Sequence, residues 1–311
     1  MDMTVLKWGV CWLVSLVLAP LLPGIINKTK AFFAGRHGAS VFQLYFDLWK
    51  LLKKGGVFSN VSGGVLALAP CASLALLLAA SLLLPYGRFF SPLMFPGDVI
   101  VFFYLLGTAR MMTVLAALDT GSSFEGMGAS REVQFSALAE AALFGVICFL
   151  FLAMNAGEGL RFFNFAASGS HIVSRLLTAA AFFVVLLAEN SRVPVDDPET
   201  HLELTMIHEA MILDYAGPDL ALILYGAALK LWMFASFLVM ILIPVSLRIP
   251  CGGTEWNLTP LVFFIGVLLT GVLLGALESS MARYRFLKVP QLLMGGLGMA
   301  LLGVFFWIFF E

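Results

Sequence analysis

The chain has 311 residues, of which 61% are hydrophobic and 12% charged, and its formal net charge is −1. A soluble domain carries roughly 25% charged residues, so this chain lacks the polar surface to face water on all sides, and lipid must solvate much of it. The near-zero net charge gives no support to a nucleic-acid partner.

A membrane-crossing helix needs about 20 apolar residues. Runs at 4–26, 62–84, 98–119, 133–154, 171–189, 217–245, 260–280 and 290–310 qualify. They predict a single transmembrane domain: an all-α integral membrane protein with about eight transmembrane helices and amphipathic helices in its cytoplasmic loops. The first run lacks a small-residue cleavage pattern and leads into further spans, so it is expected to be a retained helix rather than a signal peptide. The 217–245 run exceeds the bilayer thickness and implies tilt or extension beyond the membrane. No internal repeat is visible, which weakens an inverted-repeat transporter reading.

The loop after the first span, 27–61, contains AFFAGRHGASVFQLYFDLWKLLKK. Val41 to Lys54 reads as an amphipathic helix on the membrane surface. Leu44, Leu48, Leu51 and Leu52 form its apolar face, with Tyr45 and Trp49 as interfacial anchors. Asp47, Lys50, Lys53 and Lys54 are its polar contacts. The third span contains Arg110 and ends at Asp119. The 119–132 loop, DTGSSFEGMGASRE, carries turn residues with Gly126 and Gly128, and Ser130-Arg131-Glu132 is expected to open the next helix. It lacks the GK[ST] ending of a phosphate loop, so tight packing at a protein interface is its better reading. Glu140 lies within the fourth span, Lys230 within the sixth, and Glu278 near the end of the seventh. Each charge costs ~2.5–3.5 kcal/mol at mid-membrane, so these side chains are expected to pair, face the bundle or line water. Static ion pairs and an ion path both satisfy that demand.

The densest polar segment runs from Glu189 to Asp219, within the 190–216 loop and its borders. Asp197 suits an N-cap, Pro198 the first helical position and Glu199 the first turn. They predict a helix from Pro198 to about Leu213, ended by Gly217-Pro218. Its carboxylates and its histidines, His201 and His208, read either as a proton relay at the membrane edge or as a solvated amphipathic helix. His208-Glu209 begins an HExx sequence, but position 212 is Ile212, so the zinc motif is incomplete. Cys11, Cys71, Cys148 and Cys251 are far apart and form no CxxC or Cys/His cluster. The chain is therefore expected to bind no metal, cluster or cofactor of its own.

Lys and Arg are concentrated in the 27–61, 121–132, 190–216 and 281–289 loops, which the positive-inside rule places in the cytoplasm. Eight spans then put both termini outside. The same loops carry most of the Asp, Glu and His, so a partner is expected to dock on that side.

Together these segments resemble the subunit-1 membrane protein of respiratory complex I and its relatives in group 4 membrane-bound [NiFe] hydrogenases, including formate hydrogenlyases. LDTGSSFEGMGASRE (Leu118–Glu132) and ESSMAR (Glu278–Arg283) look most like the hydrogenase branch. The first loop is similar at Arg36, Gly38, Gln43, Asp47 and Lys50. The acidic loop is similar to the family's Arg-x-Pro-Phe-Asp-x-x-Glu core at Arg192, Pro194, Asp196, Glu199 and Glu203. Departures are Val195 for the usual Phe, His201 where an acid is common, Ala39 for a proline, Asp214 for a Glu, and about one extra helical turn between Glu203 and Asp214. The resemblance implies a non-catalytic subunit of an oxidoreductase complex in the cytoplasmic (inner) membrane. It implies a peripheral arm of hydrogenase-like large and small subunits that hold the [NiFe] and iron–sulfur centres, and antiporter-like membrane subunits. It implies Glu140, Glu189, Asp196, Glu199, Glu203, Asp214 and Glu278 as an acidic path for H⁺ or Na⁺. Arg36, Gln43, Asp47, Lys50, Arg131 and Arg192 follow as docking or charge-pairing residues. Two other readings stand beside it: a complex I-type subunit that helps form a quinone site, and a stand-alone secondary ion transporter.

Overall fold

The computed structural model describes residues 3–57, 62–86, 89–153, 172–196, 207–242, 249–251, 254–256, 259–282, 284 and 288–310. In chain order the helices are α1 (Met3–Leu18), α2 (Leu21–Phe33), α3 (Gln43–Leu52), α4 (Gly64–Leu83), α5 (Asp98–Asp119), α6 (Ser123–Ala153), α7 (Ile172–Glu189), α8 (Gly217–Leu242), α9 (Thr259–Ser280) and α10 (Val289–Phe310). A 3-10 turn covers Glu209–Ile212. A small antiparallel hairpin pairs β1 (Ile249–Cys251) with β2 (Thr254–Trp256), with Ile249 opposite Trp256. Seven helices are long and apolar enough to cross a membrane, and the bent pair α1–α2 raises that to eight if it is one span. The chain is thus a multi-pass membrane protein, all-helical among the described residues apart from that hairpin.

The first span differs from its expected form. Pro20 precedes α2 and Pro23 lies in its first turn, and proline removes a helical hydrogen bond and crowds the turn before it. The helix breaks there with a bend of 46°. Past the bend, α2 runs on to Phe33, into what the sequence suggests is open loop. Gly24 makes the next step possible: a Cβ there would sit 2.0 Å from the Val41 carbonyl oxygen. The chain leading into α3 therefore lies directly against α2. In α3, Leu44, Leu48 and Leu51 are half-buried, while Phe46, Trp49 and Leu52 are exposed. Lys53 stacks its ammonium 4.6 Å from the Trp49 ring centre.

The second difference is at α6. Its 31 residues span about 46 Å, and it begins at Ser123, so Ser130-Arg131-Glu132 lies inside the helix rather than opening it. Gly126 and Gly128 look like turn residues because glycine weakens a helix. Tertiary contact overrides that tendency: a Cβ on Gly128 would lie 2.9 Å from the Ile207 carbonyl oxygen and 3.0 Å from the Ala210 Cβ. The interface at Gly128 is therefore with the chain's own 207–211 segment.

The third difference is the expected helix Pro198–Leu213. Residues 197–206 lie outside the described residues, and with them Asp197, Pro198, Glu199, His201 and Glu203; Arg161, Arg283 and Arg285 do too. The described end of that segment is the 3-10 turn, not an α-helix. The Asp196 carboxylate accepts the backbone N–H groups of Ile207 (3.2 Å) and His208 (3.4 Å), which pins the chain where a helix would otherwise enter.

Helix α8 is the most enclosed, packing against α3, α4, α7 and α9, while α10 packs on α6 and α7 and α5 on α4. Its Trp232, Phe234 and Phe237 sit in the core with Phe102, Phe149 and Phe182. Gly24→Ala should force α2 and the Val41 segment apart and cost about 1–3 kcal/mol. It should lower the amount of folded chain in membranes and the unfolding temperature. Gly9→Ala, where no atom lies within 4 Å of the added Cβ, is the matched control and should lower neither.

Candidate functional site

Helix α7 ends at Glu189, yet Glu189 meets Lys230, which lies 13 residues into α8, about 20 Å from that helix's start. The C-terminal end of α7 is therefore deep in the bundle, and the segment that follows folds down over it. Lys230 Nζ donates to the Glu189 backbone carbonyl (2.5 Å) and to its Oε2 (3.0 Å). A cation at a helix C-terminus also meets the negative end of the helix dipole. Glu189 Oε1 accepts from Arg110 Nη1, and Arg110 Nη2 donates to Glu140 Oε1. One guanidinium thus bridges a buried carboxylate, 7% exposed, and one 49% exposed on the outer face of α6.

Beside this cluster lies a cavity of about 380 Å³, lined by Arg110, Glu132, Glu189 and Lys230 at depth and by Arg192, Asp196, His208 and Glu209 from the overlying segment. Pro23, Asn27 and Leu44 close it on the side of α2 and α3. Glu132 is buried and makes no ion pair or hydrogen bond among the described residues.

A packed aromatic layer closes the far side of the charges. Phe103 and Phe182 each precede a charged residue, Arg110 and Glu189, by seven positions, and Phe234 and Phe237 follow Lys230. Their rings meet at 4.8 Å (Phe182–Phe237), 5.1 Å (Phe103–Phe237) and 5.7 Å (Phe182–Phe234). All four are buried, so a hydrated route straight across the bundle is shut there.

The other candidate residues fall into distinct places. Glu278 is fully buried outside the cavity, between Lys30 (3.2 Å) and Arg192 (3.6 Å), and ties α9 to α2 and to the segment after α7. Asp196 lines the cavity with one oxygen committed to backbone N–H groups. Asp214 is exposed and away from it, its backbone N–H held by Glu125 (3.0 Å). Glu199 and Glu203 lie outside the described residues. On α3, Gln43 donates to Asp47 (3.0 Å) one turn on, and Lys50 is exposed, as is Arg36. Arg131 packs its guanidinium on Met127 Sδ (3.1 Å).

Sequence reasoning noted Arg110 and Lys230 as buried charges without placing them in the path, and it passed over Glu132. The available signal was spacing: Glu125, Glu132 and Glu140 recur at seven and eight residues, about two helical turns, once the helix is known to start at Ser123.

His208 is partly buried on the cavity wall, and its pKa falls from 6.5 to about 4, first through desolvation and then through the positive charges of Lys230 and Arg192. It is therefore a neutral imidazole at neutral pH. Because the unfolded histidine binds its proton first, stability falls as pH drops through the window from 6.5 to 4. Between pH 7 and 5 the loss should be about 2 kcal/mol. His208→Gln should flatten that part of the pH dependence in thermal unfolding of the detergent-solubilised protein.

Comparison with known proteins agrees with this architecture. The sequence model of the NADH dehydrogenase family matches residues 7–309. Hydrogenase-4 component C of Escherichia coli (strain K12) is 33% identical over 303 residues, 95% of this chain and 93% of its own. Formate hydrogenlyase subunit 4 of the same organism is 32% identical over 298 residues, 93% of this chain and 94% of its own. Among solved structures, a chain of the membrane-bound sulfane sulfur reductase, an archaeal respiratory membrane complex, shares the fold at a TM-score of 0.79 and 18% identity, covering 98% of this chain and 99% of that one. The chain with the bridged Arg110 cluster and its cavity belongs to the NADH dehydrogenase family of membrane subunits.

Proposed function

We propose that the chain is the membrane-anchoring, ion-coupling subunit of a multisubunit complex of the group 4 [NiFe] hydrogenase type, similar to formate hydrogenlyase. It would link redox chemistry in a peripheral arm to translocation of H⁺ or Na⁺. The observation that carries this reading is Glu140: a carboxylate half-exposed on the outer face of a membrane helix, ionically continuous through Arg110 with Glu189 and Lys230 at a buried cavity. Lipid solvates such a group poorly, at ~2.5–3.5 kcal/mol near mid-membrane, so protein with polar groups is its natural cover. The aromatic layer blocks the direct way across, which leaves the lateral way past Glu140 toward antiporter-like membrane subunits. That layer also speaks against a stand-alone transporter.

The hydrogenase-like large and small subunits, with the [NiFe] and iron–sulfur centres, would dock on the end that carries α3 and residues 190–196 and 207–216. The Lys and Arg distribution supports a cytoplasmic (inner) membrane protein with that end in the cytoplasm and both termini outside. Arg36, Gln43, Asp47 and Lys50 lie on that surface, while Arg192 faces inward to Glu278. The cavity favours one alternative: its volume falls at the lower end of ligand pockets, roughly 300–1,000 Å³, and its mixed lining suits a quinone head group, as in a complex I-type quinone oxidoreductase.

The test uses the intact complex in sealed vesicles. Glu140→Gln should lower the number of ions moved per electron pair by at least about tenfold, since it removes the ionisable group at the lateral end of the path. An unchanged ratio rejects the lateral path. Extraction of stoichiometric quinone from the purified complex decides for the alternative.

A further inference from the structure

The ionisable groups at the deep end of the cavity alternate in sign. Glu132 lines the cavity together with Lys230, Lys230 holds Glu189, Glu189 is shared with Arg110, and Arg110 reaches Glu140. Three carboxylates thus stand against two cations. An unpaired charge taken from water into a low-dielectric interior is strongly disfavoured, so one proton resident on a carboxyl makes the group neutral. In the observed arrangement the carboxyl without a cation is Glu132, while both oxygens of Glu189 and one of Glu140 are engaged. The remaining ionisable groups on the cavity wall are committed elsewhere. Asp196 accepts two backbone N–H groups, Arg192 faces Glu278, Glu209 has its own interaction, and His208 is a neutral imidazole.

We infer that Lys230 is a moving positioning cation that couples proton loss at Glu132, at the cavity, to proton uptake at Glu140, at the lateral face. This deepens the ion-coupling reading and rests on it. When Glu132 releases its proton to the cavity, its carboxylate draws the Lys230 ammonium off Glu189. Arg110 then commits both arms to Glu189 and releases Glu140, which takes up a proton from the partner it faces. One proton leaves at the cavity and one is bound at the face; the release leaves a single negative charge that the uptake cancels, so the cluster is neutral before and after each exchange. The reverse sequence returns it. Lysine suits this role because its compact ammonium swings on a flexible four-carbon stem, whereas arginine's rigid fork suits the bridging position that Arg110 holds. The cavity beside Lys230 gives the stem room to move.

The inference is tested by infrared difference spectroscopy and by proton translocation on the intact complex. Glu132→Gln should remove the carbonyl stretch of a protonated carboxyl that the unmodified complex shows at neutral pH. Lys230→Met should add a second such band, because the lost cation must be replaced by a proton. It should also lower translocation per electron pair by at least about tenfold. Lys230→Arg keeps the charge and guards against failed assembly: its fork should grip Glu189 in place, so the Glu132 band stays and the translocation ratio still falls. No band lost in Glu132→Gln overturns the assignment, as does an unaltered ratio in Lys230→Arg. The infrared readings need no transport. A complex that shows the Glu132 band but moves no ions therefore sinks the ion-coupling reading and leaves the proton assignment supported.

Discussion

Arg110 is the constraint around which the bundle is organised. A guanidinium cannot shed its proton inside a protein, so once α5 carries it into the membrane the fold must surround it with acceptors. Glu189 and Glu140 supply them from α7 and α6. To bring Glu189 to the right depth, α7 must stop inside the bundle, and its freed carbonyl end then needs a donor, which Lys230 provides. The early stop leaves space above it, and the polar segment after Glu189 folds down to wall that space. The cavity is thus a consequence of satisfying one buried cation.

The same economy explains the elements that hold the wall in place. Asp196 fastens the far end of the polar segment by its two backbone contacts. Glu278 fastens its near end through Arg192 and joins it to α2 through Lys30. Glu125 and Gly128 seat it against the first turns of α6. The described wall, residues 190–196 and 207–216, therefore touches α6 and α9 and reaches α2 through Glu278, so that a displacement of it would be felt at each of these helices. That arrangement gives redox chemistry outside the membrane a mechanical route to the charges within it.

Much of this was legible in the amino-acid order. Glu140, Arg110 and Lys230 stand out because an ionisable residue in an apolar run has few reasons to exist, and Glu189 stands at the border of one. The α3 helix was readable from its amphipathic pattern. What failed was local grammar that distant contacts override. SSFEGMGASRE reads as a turn, yet the 207–211 segment packs on Gly128 and holds it as helix, so Glu132 falls inside the bundle rather than in a loop. Depth was readable for Glu278 but partnership was not, because nothing in the sequence links position 278 to 30 and 192. The proline break between α1 and α2 was written in Pro20 and Pro23, but the continuation to Phe33 depends on the close approach of Val41 that only Gly24 allows.

A cluster of this kind answers a general difficulty of coupling within a membrane. Carrying a lone charge through a low-dielectric interior costs several kcal/mol per ion even after relaxation, more than a modest redox signal could repeatedly supply. Exchange among closely spaced, alternating charges lowers that cost, because each proton lost is matched by one gained and each cation moves only from one carboxylate to its neighbour. The geometry also sets the direction of exchange: the aromatic layer of Phe103, Phe182, Phe234 and Phe237 forbids the axial exit, and the exposure of Glu140 opens the lateral one. A subunit built in this way cannot complete translocation alone, since its outer terminus ends at a carboxylate that faces sideways. On the proposed exchange, a change at the cavity wall becomes a change of charge at the lateral surface of α6.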